Sequence, residues 1–393
     1  MRPRVTVLMA VHNGEPHLRA AVESVLAQTY PDFELLIVDD GSTDGSADVV
    51  RSYEDRRIRL LENERNLGQI PSLNRALREA HGEYVARLDH DDLCLPERLE
   101  RQVEELDAEP SAALAGTWID VVDEDGRLWA TVRGDIATFV DFVAAILVNQ
   151  FPFGHPSIMF RREIALELGG YDESLGAAED LDLYRRLALA RHEVRVVRAP
   201  LVLYRRHVEQ MSQAKSHIVA ESDAFGHERF IAELAPGAPA GALRLLLTGG
   251  EGLWRVVSRP RAGHSAARGL SALVEGASVR LDLTQGERAE LERFLSRRVA
   301  QIVRRGWREA LISWWLGSPP LLCWAFRHAP GARRLLIAAY GAAYLLAPLL
   351  RLVFYVQTRA TRAFAHLPLL ASVRRRARQS RTLRLLYSRL AGR

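Results

Sequence analysis

With 393 residues, 48% hydrophobic and 26% charged, the chain is long enough for one large or two smaller globular units, and its composition excludes a short peptide scaffold and disorder over most of the length. Two cysteines, Cys94 and Cys323, exclude a disulfide framework and a cysteine-built metal site and fit a reducing compartment. The net charge of +4 hides a split: residues 1–240 hold 26 Lys/Arg against 42 Asp/Glu, and residues 241–393 hold 27 against 7, so the two parts face different partners.

Met1-Arg2-Pro3-Arg4 leads straight into Val5–Val11, a run too brief for an export signal and without a small-residue cleavage site, so no export is expected. That run is unbroken and rich in β-branched residues, as a strand buried on both faces would be. Glu15-Pro16 then opens an apolar-periodic helix to Ala27. A second buried strand, Phe33 to Val38, precedes Asp39-Asp40-Gly41-Ser42-Thr43-Asp44-Gly45 and a helix from Ser46. A third strand, Ile58 to Leu61, a helix from Ile70 to Ala80 and a fourth strand, Tyr84 to Leu88, continue the alternation. Strands and helices in this order predict a parallel sheet with helices on both faces.

In such sheets ligands bind beyond the carboxyl ends of the strands, and the polar clusters fall there. His12-Asn13 follows the first strand, Asp39-Asp40 ends the second, and Asp89-His90-Asp91-Asp92 follows the fourth. Converging carboxylates repel one another unless a cation neutralises them, so the spacing predicts a hard divalent metal, Mg²⁺ or Mn²⁺. No Gly-x-Gly-x-x-Gly follows the first strand and no Gly-x-x-x-x-Gly-Lys occurs, which argues against a dinucleotide fold and a phosphate-loop NTPase.

Val38-Asp39-Asp40-Gly41-Ser42-Thr43-Asp44, Asn66-Leu67-Gly68 with Leu73-Asn74, Asp89-His90-Asp91-Asp92 and Glu179-Asp180 together resemble the ordered motifs of glycosyltransferase family 2, over roughly residues 4–210. The resemblance implies a GT-A fold, an α/β architecture with a Rossmann-like mixed sheet and helices on both faces, for residues 1–235. It implies inverting transfer of a sugar from a nucleotide-diphosphate sugar to a hydroxyl of a glycan or polyprenyl-linked acceptor, in cell-surface polysaccharide synthesis. A non-catalytic sugar-nucleotide-binding relative is the alternative; a sugar-phosphate nucleotidyltransferase would need a Gly-rich opening loop that is not visible.

The resemblance also distributes roles. Asp91, with Asp89 and His207, is expected to hold the metal. Ala10, His12, Asn13, Asp40, Asn66, Arg87, Asp89 and Arg205 are expected on the donor side, Asp40 accepting from the nucleobase. His12 either stacks on the base or serves as a turn residue. Asp92 either supports the metal loop or N-caps a helix opening at Pro96. Asp180, the second residue of the Glu-Asp pair, is the expected catalytic base, which inversion requires on the acceptor side. Glu179 and His155 are expected near the acceptor, with a structural histidine as the other reading of His155. Asp182 reads as a first-turn acid that complements the helix dipole. Trp118 and Trp129 are expected in core packing rather than on a sugar.

Ala235-Pro236-Gly237-Ala238-Pro239-Ala240-Gly241 reads as a hinge, so residues 236–393 are expected to form a helical, Arg-rich region. Two uncharged blocks, Ala310 to Phe326 and Leu335 to Leu350, span 17 and 16 residues. A bilayer span needs roughly 20 apolar residues, so helices lying in an anionic lipid interface are expected rather than spans, although Arg351 could extend the second block to Val356. A cytoplasmic enzyme at the inner face of the cell membrane follows. Arg374-Arg375-Arg376 would suit nucleic acid, but the acid-rich front half does not, and no nucleic-acid partner is expected.

Overall fold

The computed structural model describes residues 2–207, 210, 216–249 and 260–309. Strands β1 (Val5–Val11), β2 (Phe33–Asp39), β3 (Ile58–Glu62) and β4 (Tyr84–Arg87) lie side by side in the order β3-β2-β1-β4 and are all parallel. Helices α1 (Glu15–Leu26), α2 (Ser46–Arg51) and α3 (Gln69–Glu79) link them in turn. Every residue of β1 and β2 is buried, as an unbroken apolar run requires when helices cover both faces. Side chains alternate between the layers: Val5, Val7 and Met9 pack with Leu18, Val22 and Leu99, while Leu8 and Ala10 pack with Leu73, Leu77 and Phe142.

Past β4 the parallel order of the first four strands gives way to the mixed sheet that the family resemblance implies. After β5 (Leu93–Cys94), α4 (Arg98–Ala108), β6 (Ala112–Val122), β7 (Leu128–Val132) and α5 (Phe139–Val148), the chain enters β8 (Ile158–Arg161) at the edge where β4 leaves. No crossover carries it to the far end, so β8 runs antiparallel to β4, and β6 runs antiparallel to β8. The second reversal restores the direction of β4, and β9 (Glu193–Arg205) is parallel to β6. The carboxyl ends of β1, β2, β4, β6 and β9 therefore share one edge. Two-residue β5 pairs with β9, and β7 pairs with β6 outside the main path.

Helix α5 starts at a reciprocal cap between Thr138 and Asp141 and is buried at every residue except Asp141. It is followed by α6 (Arg162–Glu167), α7 (Glu179–Leu189), α8 (Ser216–Leu234), α9 (Ala240–Thr248), α10 (Pro260–Arg280) and α11 (Gln285–Glu309) among the described residues. Leu243, Leu246, Leu270, Leu273, Leu291 and Leu295 belong to the same hydrophobic cluster as Phe142, Leu147 and Leu8. Helices α9 and α11 thus cover α5, α10 packs on them, and all three continue the core of that face. At the Pro/Gly segment, Ala235 is buried and its carbonyl accepts from Ala238 N at 3.0 Å. Among the described residues no helix is long and apolar enough to cross a membrane. The apolar blocks 310–326 and 335–350 lie outside those residues.

Candidate active site

Three loops meet at the carboxyl edge. After β1, Asn13 takes a φ of 54°, which asparagine tolerates, and its Oδ1 accepts from Thr43 N at 2.8 Å. His12 is exposed and its Nδ1 donates to the carbonyl of Asp40 at 2.9 Å. Gly14 brings this loop to the one after β4, since a Cβ there would stand 2.4 Å from His90 Cδ2. Ala10, at the end of β1, is buried beside Val38.

Asp40 is buried and organises the loop after β3. Its Oδ1 accepts from Asn63 Nδ2 (2.7 Å) and Leu67 N (2.9 Å), and its Oδ2 from Gly68 N (2.8 Å). A carboxylate oxygen offers about two acceptor positions, which among the described residues leaves one on Oδ2. Exposed Asn66 caps the same turn, its Oδ1 accepting from Gly68 N at 2.9 Å.

After β4, one oxygen each from Asp89, Asp91 and Asp92 lie within 4.8 Å of one another. His207, just past β9, places Nε2 2.8 Å from Asp91 Oδ2. Asp92 is fully buried; its Oδ1 accepts from Arg205 N at 2.8 Å, and its Oδ2 has no partner among the described residues. Asp92 therefore ties β9 to the loop and does not cap a helix, for α4 begins only at Arg98, after Glu97. Burial, followed by the neighbouring Asp91 and Asp89, pushes the Asp92 carboxyl well above the usual carboxylate range. Three carboxylates, an orphaned buried oxygen and one imidazole make a donor set that a hard divalent cation such as Mg²⁺ or Mn²⁺ satisfies.

Two arginines expected on the donor side make contacts within the protein beside the carboxylate loop. Arg205 directs its guanidinium at His17 Nδ1, 3.0 Å away, and the His17 ring lies 5.1 Å from that of His207. Arg87 is 1% exposed and donates to the Leu88 carbonyl and to Asp89 Oδ1. It stands behind the carboxylate loop, between that loop and the acceptor-side residues.

On that side, His155 opens the short helical turn His155–Ser157, with Nε2 3.0 Å from Tyr171 Oη and Nδ1 3.6 Å from Glu179 Oε1. Burial, with Arg87 next in weight, pushes the His155 pKa down to about 3, so the imidazole is neutral and its contact with Glu179 is not an ion pair. Burial and then the adjoining Asp180 push Glu179 up to about 7. Asp180 is part-buried, and burial pushes it up to about 6 against the pull of the Leu181 amide and Arg185. Ala178, just before the pair, holds a left-handed φ of 60°, a conformation that costs an L-residue roughly 1–2 kcal/mol. Strain of this kind collects where a loop must present a side chain at a fixed angle.

Glycosyl transferase family 2 matches the chain over residues 6–169. An uncharacterized glycosyltransferase of Methanocaldococcus jannaschii is 32% identical over 208 residues, covering 52% of this chain and 71% of the relative. The chain belongs to glycosyltransferase family 2. The O-antigen biosynthesis glycosyltransferase WbnJ of Escherichia coli is 30% identical over 187 residues, 47% of this chain and 71% of WbnJ. EpsE of Bacillus subtilis is 36% identical over 189 residues, 47% of this chain and 66% of EpsE. The chain thus spans about two thirds of these relatives. A crystal structure of S. aureus TarS residues 1–349, in complex with UDP-GlcNAc, superposes with a TM-score of 0.50 at 16% identity, over 84% of this chain and 92% of that one. That likeness shows the fold, the GT-A arrangement of a family 2 enzyme followed by helices.

Other polar and aromatic residues of this family 2 enzyme hold the elements around the site. Buried Asn74 holds α3 to the turn before the acceptor loop: its Nδ2 donates to the Tyr171 carbonyl and to Glu173 Oε1, both at 2.8 Å, and its Oδ1 accepts from Tyr171 N at 2.8 Å. Asp182 lies in the first turn of α7, as expected, and is buried between Arg186 Nε (2.7 Å) and Arg229 Nη2 (2.5 Å), which makes it a structural anchor as well. Trp118 is half-buried and donates to the Gly134 carbonyl at 2.7 Å. Trp129 departs from the core packing expected of it: it is 68% exposed, with the Arg206 guanidinium 4.4 Å from its ring centre.

Proposed function

We propose that the protein is a metal-dependent, inverting glycosyltransferase that moves a sugar from a nucleotide-diphosphate sugar to a hydroxyl of a glycan or polyprenyl-linked acceptor, in the synthesis of a cell-surface polysaccharide. The observation that carries this reading is the group Asp89, Asp91 and Asp92 with His207 on Asp91 and an unpartnered Asp92 oxygen, set at the carboxyl ends of β4 and β9. Asp91, Asp89 and His207 would hold Mg²⁺ or Mn²⁺. Bound there, the ion supplies positive charge opposite the departing diphosphate.

The remaining steps belong to the chain's own side chains. His12, Asn13 and the free acceptor position of Asp40 receive the nucleoside, and Asn66 and Gly68 fix the neighbouring turn. Asp180 takes the proton of the acceptor hydroxyl as its oxygen bonds to the anomeric carbon and the bond to the diphosphate breaks on the opposite face. A base titrating near 6 is ionised at neutral pH and still basic enough to accept that proton. UDP-GlcNAc on TarS and the O-antigen role in the name of WbnJ support a nucleotide-sugar donor and a polysaccharide product. Residues 1–235 form the transferase unit in this reading, and the Arg-rich stretch beyond residue 309 brings it to anionic lipid at the inner face of the membrane, where both soluble donor and lipid-linked acceptor are met.

Nucleoside-diphosphate release from a panel of UDP-, GDP- and TDP-sugars, with Mg²⁺ or Mn²⁺ and with chelator, tests the proposal. Metal-dependent release lost in Asp91→Asn supports it. Binding of a sugar nucleotide with no turnover under any metal would leave a binding protein instead.

A further inference from the structure

We propose that helix α8 is a clamp that positions Asp180, gripping α7 through Asp223 and Arg229 on both sides of its first two turns. The inference rests on the reading of Asp180 as the base. Asp223 and Arg229 are positioning residues, and both lie beyond residues 6–169, where the family match ends.

The contacts are specific. Arg185, five positions after Asp180, is 4% exposed and donates from Nη2 to Asp223 Oδ1, while Asn149 Nδ2 at the end of α5 donates to Asp223 Oδ2 at 2.8 Å. The bare backbone at Gly226 leaves room for this guanidinium, since a Cβ there would stand 2.6 Å from Arg185 Nη1. Two positions after Asp180, buried Asp182 accepts from Arg229 Nη2 at 2.5 Å, and Arg229 Nη1 lies 3.5 Å from Asp172 in the turn that leads to the acceptor loop. The loop rests on the same helix, since a Cβ on Gly176 would stand 3.0 Å from Ile218 Cγ2.

In each pair one partner is buried and the other keeps solvent contact, so desolvation and screening leave little net stability. What they fix is geometry and field. The left-handed Ala178 gives the loop one exit angle, and the two pairs stop α7 from rotating about it. The groups facing Asp180 are Glu179, Tyr171, Tyr184, Arg185 and Asp223. Arg185 favours its ionised form, and Asp223 opposes it.

The test uses the full chain with Asp223→Asn and Arg185→Gln. Nucleoside-diphosphate release is followed against pH for whichever sugar nucleotide the wild type turns over, and hydrogen exchange is followed over residues 176–186 and 36–40. The clamp predicts a roughly ten- to hundred-fold loss of kcat with donor KM unchanged within about two-fold. The acidic limb moves to lower pH in Asp223→Asn and to higher pH in Arg185→Gln, opposite shifts that a general loss of stability does not produce. Exchange quickens over 176–186 and stays unchanged over 36–40. Wild-type kcat with an unmoved limb, or equal quickening in both segments, overturns the clamp. If no sugar nucleotide is turned over, the exchange comparison decides alone. Asp180→Asn separates the two claims: full activity there removes the base itself, whereas an inactive Asp180→Asn beside a fully active Asp223→Asn removes only the clamp.

Discussion

Replacing Asp180 with Asn is expected to stop turnover and, at neutral pH, to stabilise the protein. The folded carboxyl titrates at about 6 against an ordinary value of 3.8, raised by burial at the start of α7. Between those values the native state binds more protons than the unfolded chain, so this group's contribution is most favourable below the ordinary value and is lost as the pH rises through about 6. Two pKa units correspond to about 3 kcal/mol, and the solvent contact that Asp180 retains lowers the expected cost of its charge to about 1–3 kcal/mol. An uncharged, nearly isosteric Asn removes that cost. For a unit of this size the gain amounts to roughly 2–4 °C in Tm per kcal/mol. Scanning calorimetry of wild type and Asp180→Asn at pH 7.5 and pH 5.0 should show the variant ahead at the higher pH and the gap narrowing at the lower. An Asn variant that melts at or below wild type at pH 7.5, or is stabilised equally at both values, would refute the assignment of Asp180 as a desolvated base.

Three further outcomes follow from other contacts. His207→Ala should weaken Mn²⁺ binding roughly ten- to hundred-fold in a calorimetric titration, because the imidazole that reaches Asp91 at 2.8 Å is lost; unchanged affinity would place the ion elsewhere. Asn74→Ala leaves the buried Tyr171 amide without its acceptor and should lower the unfolding free energy in urea by about 1–3 kcal/mol. Deleting residues 311–393 should release the protein to the soluble fraction on membrane sedimentation, and a truncated protein that still pellets with membranes would end the proposed anchoring role of that stretch.

The first four strands were readable because each is a short apolar run buried on both faces, a pattern set by neighbours close in sequence. The first ends as expected and the other three differ by a residue: β2 continues to Asp39, whose backbone pairs in register with Val11. The antiparallel β8 was not readable, since strand direction depends on which edge the chain has reached and not on local composition. At the site, the carboxylate cluster was visible as Asp89-His90-Asp91-Asp92, but the role of Asp92 was not, because its partner Arg205 lies 113 positions away. The same distance effect hid the contacts of Asn74, a residue of the Leu73-Asn74 motif whose partners are at 171 and 173, and the ties of Asp182 and Arg185 to α8. Arg87 looked like a donor contact by its place beside the acidic loop. At 1% exposed it donates to the Leu88 carbonyl and to Asp89 Oδ1, a burial that no spacing in the sequence encodes. Trp129 sits where the β6–β7 register slips between Val121 and Val122, and such a bulge turns a side chain outward against the usual alternation.

In the proposed reaction one divalent cation, held by the loop after β4 and by His207, meets the diphosphate of a sugar nucleotide across from Asp180. Anomalous diffraction from crystals grown with Mn²⁺ and a nucleoside diphosphate tests it most directly. The account predicts a single manganese peak within coordination distance of Asp91, shared with phosphate oxygens and absent in Asp91→Asn. A diphosphate bound with no manganese beside Asp91, or manganese bound away from all three carboxylates, would contradict it.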